Sequence, residues 1–173
     1  MKQVRLGIAG LGTVAQGVLS IISINGEKIR DRSGIDLKVT RVSSRTAKPE
    51  VGLLGAQFSQ DLSDLVADDV DIVLELIGGE DLAKTLIEAA LSANKPVVTA
   101  NKALIATYGN DLLCRNVDVP IKFEAAVAGA IPIIQAIQQA LICNDFHQVV
   151  GIINGTCNYI LTAMEEDGQP FAA

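Results

Sequence analysis

Residues 4–17 read VRLGIAGLGTVAQG and contain the pattern from which the fold can be predicted. The apolar run at residues 4–9 is typical of a buried strand, and a helical pattern begins directly after it. Between the two lies the pattern G-x-G-x-x-A, made by Gly10, Gly12 and Ala15. In this strand–turn–helix context the pattern predicts a dinucleotide-binding site, with the pyrophosphate at the N-terminus of the helix. The alternative is a glycine-rich turn that binds no ligand.

The rest of the chain alternates short strand-like runs with longer amphipathic stretches. Buried strands separated by helices predict a Rossmann-type, doubly wound α/β fold with a mostly parallel sheet. Only 3% of the residues are aromatic, so the core must consist of Val, Ile, Leu and Ala. The predicted strands are residues 4–9, 37–42, 70–77, 96–99 and 121–127. The predicted helices are residues 14–29, 81–93, 103–116 and 131–141.

The pattern changes towards the end of the chain. Residues 149–153 predict another strand, and residues 158–164 predict a helix after an Asn-Gly-Thr turn. We therefore predict a nucleotide-binding domain over residues 1–145. Residues 146–173 are expected to open a second, catalytic and dimerisation domain.

Composition and charge exclude several classes of function. A net charge of −6 argues against a nucleic-acid or anionic-membrane partner. The chain has neither a signal-peptide pattern nor an apolar run long enough to span a bilayer, so we expect a soluble, cytoplasmic protein. Cys114, Cys143 and Cys157 show no C-x-x-C spacing and are expected to be reduced and buried. With His147 as the only histidine, a zinc site is not expected.

The end of the second predicted strand bears on the choice of cofactor. An acid at this position would bind the ribose 2′-hydroxyl of NAD, but here Ser43, Ser44 and Arg45 follow one another. Small hydroxyls and a cation fit a 2′-phosphate better, so the sequence favours NADP. Arg45 as a solvated loop residue is the alternative.

Three further segments are more specific than the glycine motif. They read TANKAL at residues 99–104, FEAAVAGAIP at residues 123–132 and GIINGTCNYIL at residues 151–161. Together with residues 10–14 they closely resemble homoserine dehydrogenase, in the same order and over nearly the whole chain. The resemblance implies NAD(P)-dependent interconversion of L-homoserine and L-aspartate 4-semialdehyde in threonine and methionine biosynthesis, by a homodimer.

The resemblance also assigns roles to residues. It makes Lys102 the active-site lysine, and this is physically sensible because ligands of open α/β sheets bind at the carboxyl ends of the strands. A cation there can orient the substrate oxygen or assist proton transfer. Together with the glycine motif and the end of the second strand, this gives the expected cofactor-binding residues: Gly10, Leu11, Gly12, Thr13, Val14, Ala15, Arg45, Gly78 and Lys102.

The resemblance further implies a monovalent metal ion, usually sodium. Its ligands would be the Glu124 side chain and the backbone carbonyls of Val127, Gly129 and Ile131. The chain departs from the family at three positions, because the family usually has glycine where this chain has Ala15 and Ala130, and Thr or Ser where it has Cys157.

The family's substrate-binding acids and its proton-donating second lysine follow the Asn-Gly-Thr segment. We expect them beyond residue 173, and we expect the 173-residue chain alone to be inactive. Two other functions stay open at this point. One is the cofactor domain of another amino-acid or semialdehyde dehydrogenase, and the other is a non-catalytic nucleotide-sensing module.

Overall fold

The computed structural model describes residues 1–115, 118–129, 131–152 and 154–171. Asn116, Ala130 and Ile153, on which some of the predictions above fall, lie outside the described residues. The strands in chain order are β1 (Lys2–Ala9), β2 (Ile35–Ser43), β3 (Gln57–Ser59), β4 (Ile72–Glu75), β5 (Val97–Thr99) and β6 (Ile121–Lys122). They form one sheet in the order β3-β2-β1-β4-β5-β6, and every neighbouring pair is parallel. This confirms the predicted Rossmann-type fold.

Three long helices connect these strands: α1 (Thr13–Ser33), α2 (Asp81–Ser92) and α3 (Lys102–Arg115). α1 ends where Gly34 adopts a left-handed conformation with φ of 71°. The Gly34 N–H donates to the carbonyl oxygen of Arg30 at 2.9 Å. This cap ends the helix and lets the chain enter β2 at once.

The core lies on both faces of the sheet. In β1, Ile8 belongs to one apolar cluster and Ala9 to the other, because successive side chains of a strand point to opposite faces. α1 covers one face with Ala15 and Leu19, whereas α2 and α3 cover the other. The buried hydrophobic residues of the described chain are all Val, Ile, Leu or Ala, as the composition predicts.

Residues 57–66 contain two short elements that the sequence pattern does not predict. β3 pairs with the end of β2 at the edge of the sheet, and a 3₁₀-helix at Leu62–Val66 follows it. The Asp61 carboxylate caps this helix by accepting the backbone N–H of Ser63 at 2.8 Å. Such elements are too short to show a hydrophobic periodicity. They can therefore be recognised only from their hydrogen bonds in the folded structure.

Two predicted strands are longer than the observed ones by more than one residue. The strand predicted over residues 121–127 is only the two-residue β6, and a 3₁₀-helix at Glu124–Ala126 follows it. The reason is that β5 has three residues, and β6 pairs with only two of them. The strand predicted over residues 70–77 is likewise reduced to β4, because the chain then turns into the loop before α2.

The chain divides into two compact units, Met1–Ile134 and Gln135–Ala173. The predicted domain boundary at residue 145 stays a prediction. A helix was expected over residues 131–141, and helical structure covers residues 133–140 of it. There, α4 (Ile133–Gln135) continues directly into a π-helical segment at Ala136–Ala140.

The second unit contains α5 (Gly155–Glu166), which begins earlier than the helix predicted over residues 158–164. Asn154 caps it by accepting the Cys157 N–H at 2.9 Å. The strand predicted over residues 149–153 is wrong, because residues 149–152 have no regular structure. A strand needs a neighbour for its backbone groups, and the described part of this unit has no other strand.

The three cysteines are exposed, which corrects the prediction that they are buried. Cys114 lies two residues after the buried Leu112 of α3 and therefore on the opposite side of that helix. Cys143 and Cys157 belong to the second unit.

Among the helices described, none is long and apolar enough to cross a membrane. The described side chains also include no cluster of three His, Cys, Asp or Glu residues that could hold a metal ion.

Candidate dinucleotide-binding site

Gly10 holds the turn after β1 against the end of β4. Its φ of +98° lies in the left-handed region, which favours glycine. A Cβ atom at this position would lie 2.6 Å from the carbonyl oxygen of Leu76. The Gly10 N–H also donates to the carbonyl oxygen of Ser43 at 2.7 Å. Only glycine fits between these two strand ends.

The N-terminus of α1 is open to a ligand. Its N-cap residue is Gly12, which has no capping side chain, and its first turn contains no acidic residue. A Cβ atom on Gly12 would meet nothing within 4 Å, so the space beside this backbone is empty. The unpaired N–H groups and the helix dipole make such a turn favourable for an anion.

A cleft of about 1130 Å³ begins at this turn. It follows the carboxyl ends of β1, β2 and β4, and the strand order reverses between β1 and β4. Open α/β sheets bind ligands at such a switch point. The cleft is lined by Gly10, Leu11, Gly12, Ser43, Ser44, Arg45, Thr46, Lys48, Gln60, Asp61, Leu62, Leu76, Ile77, Gly78, Gly79 and Leu82.

The charged side chains of the cleft lie at its β2 end. They are the cations Arg45 and Lys48 and the carboxylate Asp61. Within the described part of the chain, neither cation has an ion-pair partner. Hydrogen bonds from the backbone N–H and the hydroxyl of Ser63 lower the pKa of Asp61. The cleft thus has an excess of positive charge, although the chain carries a net charge of −6.

Ser43 occupies the position at which an acid would select NAD. The residue is fully buried, and its hydroxyl is without a hydrogen-bond partner among the described atoms. An unpaired buried hydroxyl is unfavourable, so a polar group of a ligand or an ordered water would stabilise this strand end.

Lys102 is the first residue of α3. Asn101 caps this helix, because its Oδ1 accepts the Leu104 N–H at 3.1 Å. The Asn101 Nδ2 donates to the carbonyl oxygen of Gly79 at 2.5 Å and so ties the start of α3 to the cleft loop after β4. The Lys102 side chain is exposed at the carboxyl edge of the sheet and does not line the cleft.

The structure brings most of the predicted cofactor residues to the cleft. Those that line it are Gly10, Leu11, Gly12, Arg45 and Gly78, whereas Thr13, Val14, Ala15 and Lys102 do not. Ala15 is fully buried and packs α1 onto the sheet. The residues that sequence reasoning missed are mainly Lys48, Gln60, Asp61, Leu62, Gly79 and Leu82. The Gly78–Gly79 pair directly after an apolar run could have identified Gly79.

The predicted sodium loop forms a sharp turn. Ala128 and Gly129 have φ values of 53° and 35°, which lie in the left-handed region. The half-buried Glu124 accepts the Ile134 N–H on its Oε1 at 2.9 Å. A carboxylate and backbone carbonyls are the donor types that a hard cation prefers, so these residues fit the ion.

Two segments of the chain match models of one protein family. Residues 10–117 match the model "Homoserine dehydrogenase, NAD binding domain", and residues 132–173 match the model "Homoserine dehydrogenase". The chain belongs to the homoserine dehydrogenase family. Residues 10–117 are its NAD(P)-binding domain, and the cleft lies within them. This confirms the predicted family and the NAD(P) class of cofactor.

The similar proteins are homoserine dehydrogenases that are considerably longer. That of Pseudomonas aeruginosa is 42% identical over 174 residues, which cover 99% of this chain and 40% of the relative. The crystal structure of a homoserine dehydrogenase from Thiobacillus denitrificans has a TM-score of 0.91 at 41% identity, covering 99% of this chain and 41% of that one. A hyperthermophilic archaeal homoserine dehydrogenase in complex with NADPH shares the fold, with a TM-score of 0.79 at 23% identity, over 98% of this chain and 58% of that one. The chain spans about 40% of the length of the curated relatives it matches.

Proposed function

We propose that this chain supplies the cofactor domain of a cytoplasmic, homodimeric homoserine dehydrogenase that interconverts L-homoserine and L-aspartate 4-semialdehyde with NADP(H). The observation that carries the proposal is the open N-terminus of α1 at Gly12, on a cleft with unpaired cations at its β2 end. The match of residues 132–173 to the same family supports the reaction as well as the cofactor.

In the proposed complex, the first turn of α1 binds the pyrophosphate through its free N–H groups. Gly10 and Gly78 bring backbone close to the ligand, because neither has a side chain that could fill the cleft. When bound, NADP would supply the hydride chemistry of the reaction. Lys102 is the proposed catalytic residue, a cation that orients the substrate oxygen and assists removal of its proton.

NADP is the proposed cofactor because the loop after β2 offers cations where an NAD enzyme offers an acid. Arg45 and Lys48 lie at that end of the cleft, and Ser43 ends β2 in place of a carboxylate. A 2′-phosphate would add charge-assisted hydrogen bonds to both cations.

We also propose a sodium ion at Glu124, with the carbonyl oxygens of Val127, Gly129 and Ile131. Glu124 accepts the Ile134 N–H on one oxygen, and a carboxylate is an oxygen donor of the type that a hard cation prefers. The carbonyl oxygen of Ile131 accepts the Ile133 N–H at 2.8 Å and keeps a second lone pair.

The experiment that tests the cofactor site compares two glycines of the same region. In Gly12→Ala the added methyl group enters the empty space beside the first turn of α1, so NADPH affinity should fall at least ~10-fold. The free energy of unfolding should fall by no more than about 1 kcal/mol, the usual effect of alanine at an N-cap.

Gly17→Ala is the matched control, because this glycine lies on α1 with nothing within 4 Å of its Cβ position and does not line the cleft. It should stabilise the helix by about 0.5–1 kcal/mol and leave NADPH affinity unchanged. Equal NADPH affinities for wild type and Gly12→Ala would contradict the proposed cofactor site.

A further inference from the structure

Three buried polar side chains form one hydrogen-bonded chain between β4 and β5. Glu75 and Thr99 are fully buried cross-strand neighbours, and Asn101 is 8% exposed. The Thr99 hydroxyl donates to Oε2 of Glu75 at 2.5 Å, and Oε1 of Glu75 accepts the Ile77 N–H at 3.0 Å. Thr99 in turn accepts the Asn101 N–H at 3.0 Å.

This series of hydrogen bonds connects two parts of the proposed site. Ile77 and Gly79 line the nucleotide cleft, and Asn101 donates to the carbonyl oxygen of Gly79. Asn101 also caps the helix whose first residue is Lys102. These hydrogen bonds link Glu75 to both the cleft loop and the start of α3, although Glu75 is fully buried and does not itself line the cleft.

The chemistry of Glu75 is unusual for a core position. A fully buried carboxyl group is costly unless hydrogen bonds or a cation compensate it. Within the described part of the chain no Lys or Arg forms an ion pair with Glu75, so its compensation comes from Thr99 and Ile77. The two donors bind different oxygens of Glu75, and a carboxylate accepts hydrogen bonds on both.

We propose that Glu75 is a positioning residue for the proposed hydride-transfer site. Acting through Thr99 and Asn101, it fixes the distance between the cleft loop at Gly79 and the proposed catalytic Lys102. The inference rests on the proposed function, because it assigns Glu75 its role through Lys102.

The test measures homoserine oxidation by the full-length gene product with Glu75→Gln. Glutamine replaces one of the two acceptor oxygens with an NH2 group, which donates and cannot accept, so the hydrogen bond from Thr99 or the one from Ile77 is lost. We expect kcat to fall ~10- to 100-fold while the Kd for NADPH stays within about threefold. Thr99→Val removes the hydroxyl that binds Glu75 and Asn101, so kcat should fall to a similar extent. Thr99→Ser keeps the hydroxyl and should retain activity.

The decisive measurement repeats Glu75→Gln in the Lys102→Ala background. If Glu75 acts through Lys102, the second substitution should lower the residual kcat by less than about twofold. The same fold-loss in both backgrounds would overturn the inference and leave the proposed function intact. If Glu75→Gln does not fold, Thr99→Val carries the same comparison. Absence of homoserine oxidation by the wild type would overturn the proposed function, and this inference with it.

Discussion

Arg45 and Lys48 lie on the loop after β2, where a carboxylate would bind the ribose hydroxyls of NAD. Arg45 is exposed and Lys48 is half-buried, and the Gln60 side chain donates to the carbonyl oxygen of Arg45 at 3.0 Å. This hydrogen bond connects the cation-bearing loop to the segment after β3. Arg45 and Lys48 have no ion-pair partner among the described residues, and the Gln60 hydrogen bond holds their loop in place. These two features are suited to binding a 2′-phosphate.

Arg45→Ala and Lys48→Ala should each weaken NADPH binding about tenfold, which corresponds to about 1.4 kcal/mol, the usual loss of one charge-assisted hydrogen bond. NADH binding should change little, because NADH has no 2′-phosphate. Fluorescence titration with both nucleotides measures this. Lys28→Ala, an exposed cation of α1 away from the cleft, is the control for net charge. Equal losses for NADPH and NADH would contradict the assignment.

At the scale of elements, one carboxylate ties β1 to β4 at the edge opposite the cleft. The Asp71 carboxylate accepts two hydrogen bonds from the Arg5 guanidinium, at 2.6 and 3.0 Å, and a third from the Arg5 backbone N–H, at 2.7 Å. The hydrogen bond from the Arg5 side chain is the main reason that the pKa of Asp71 falls from 3.8 to about 2. A carboxyl group with a lowered pKa in the folded state stabilises that state above its unfolded pKa.

The stabilisation by Asp71 should therefore disappear as the pH falls from about 4 to about 2. In Asp71→Asn, which cannot ionise, the free energy of unfolding should lack this part of the pH dependence. Urea unfolding between pH 2 and 6 should show the wild type more stable at pH 6 and a shrinking difference towards pH 2. Asp31→Asn, at an exposed position of α1, should show no such change. A difference that is constant with pH would contradict the role of Asp71.

The Glu124 loop gives a second prediction at this scale. If sodium binds there, a concentration tenfold above its Kd should stabilise the protein by about 1.4 kcal/mol. Tetramethylammonium chloride at the same ionic strength should not. Glu124→Gln keeps an oxygen for the Ile134 N–H but loses the charge, so its thermal response to sodium should disappear. An identical sodium response in the variant would exclude Glu124 as a ligand.

At the scale of the whole molecule, the parallel sheet brings together groups that are far apart in the sequence. Gly12, Arg45, Ile77 and Lys102 all follow the carboxyl ends of strands, and parallel strands present those ends on one edge. Three of these residues line the cleft, and Lys102 lies beyond β5 on the same edge. We therefore propose that the cofactor binds at the ends of β1, β2 and β4, and that proton transfer takes place at the end of β5.

Lys102→Ala in the full-length gene product should retain NADPH affinity within about tenfold while homoserine oxidation falls at least ~10²-fold. Steady-state turnover beside a nucleotide titration measures both. Lys102→Arg keeps the positive charge but cannot take part in proton transfer. It should therefore retain turnover only if the role of Lys102 is to supply a positive charge. A fully active Lys102→Ala enzyme would make Lys102 a surface residue without a catalytic role.

Local sequence patterns are sufficient to predict the class of fold and the family. The G-x-G-x-x-A turn and the alternation of apolar strands with amphipathic helices are local patterns, and local patterns can be read without knowing any contact. The same holds for the family motifs around Lys102 and Glu124. For this reason the Rossmann fold, α2 and the glycine turn were all predicted near their observed positions.

Contacts between distant segments could not be predicted from such local patterns. β3 and the short β6 exist because neighbouring strands supply their hydrogen-bond partners, whereas residues 149–152 have no such neighbour and form no strand. Ala15 belongs to the motif but packs inside the core, while Lys48 and Leu82 belong to no motif and line the cleft. Glu75 meets Thr99 across 24 residues of sequence. Pairings between distant segments depend on strand order and register, and these are properties of the folded sheet as a whole.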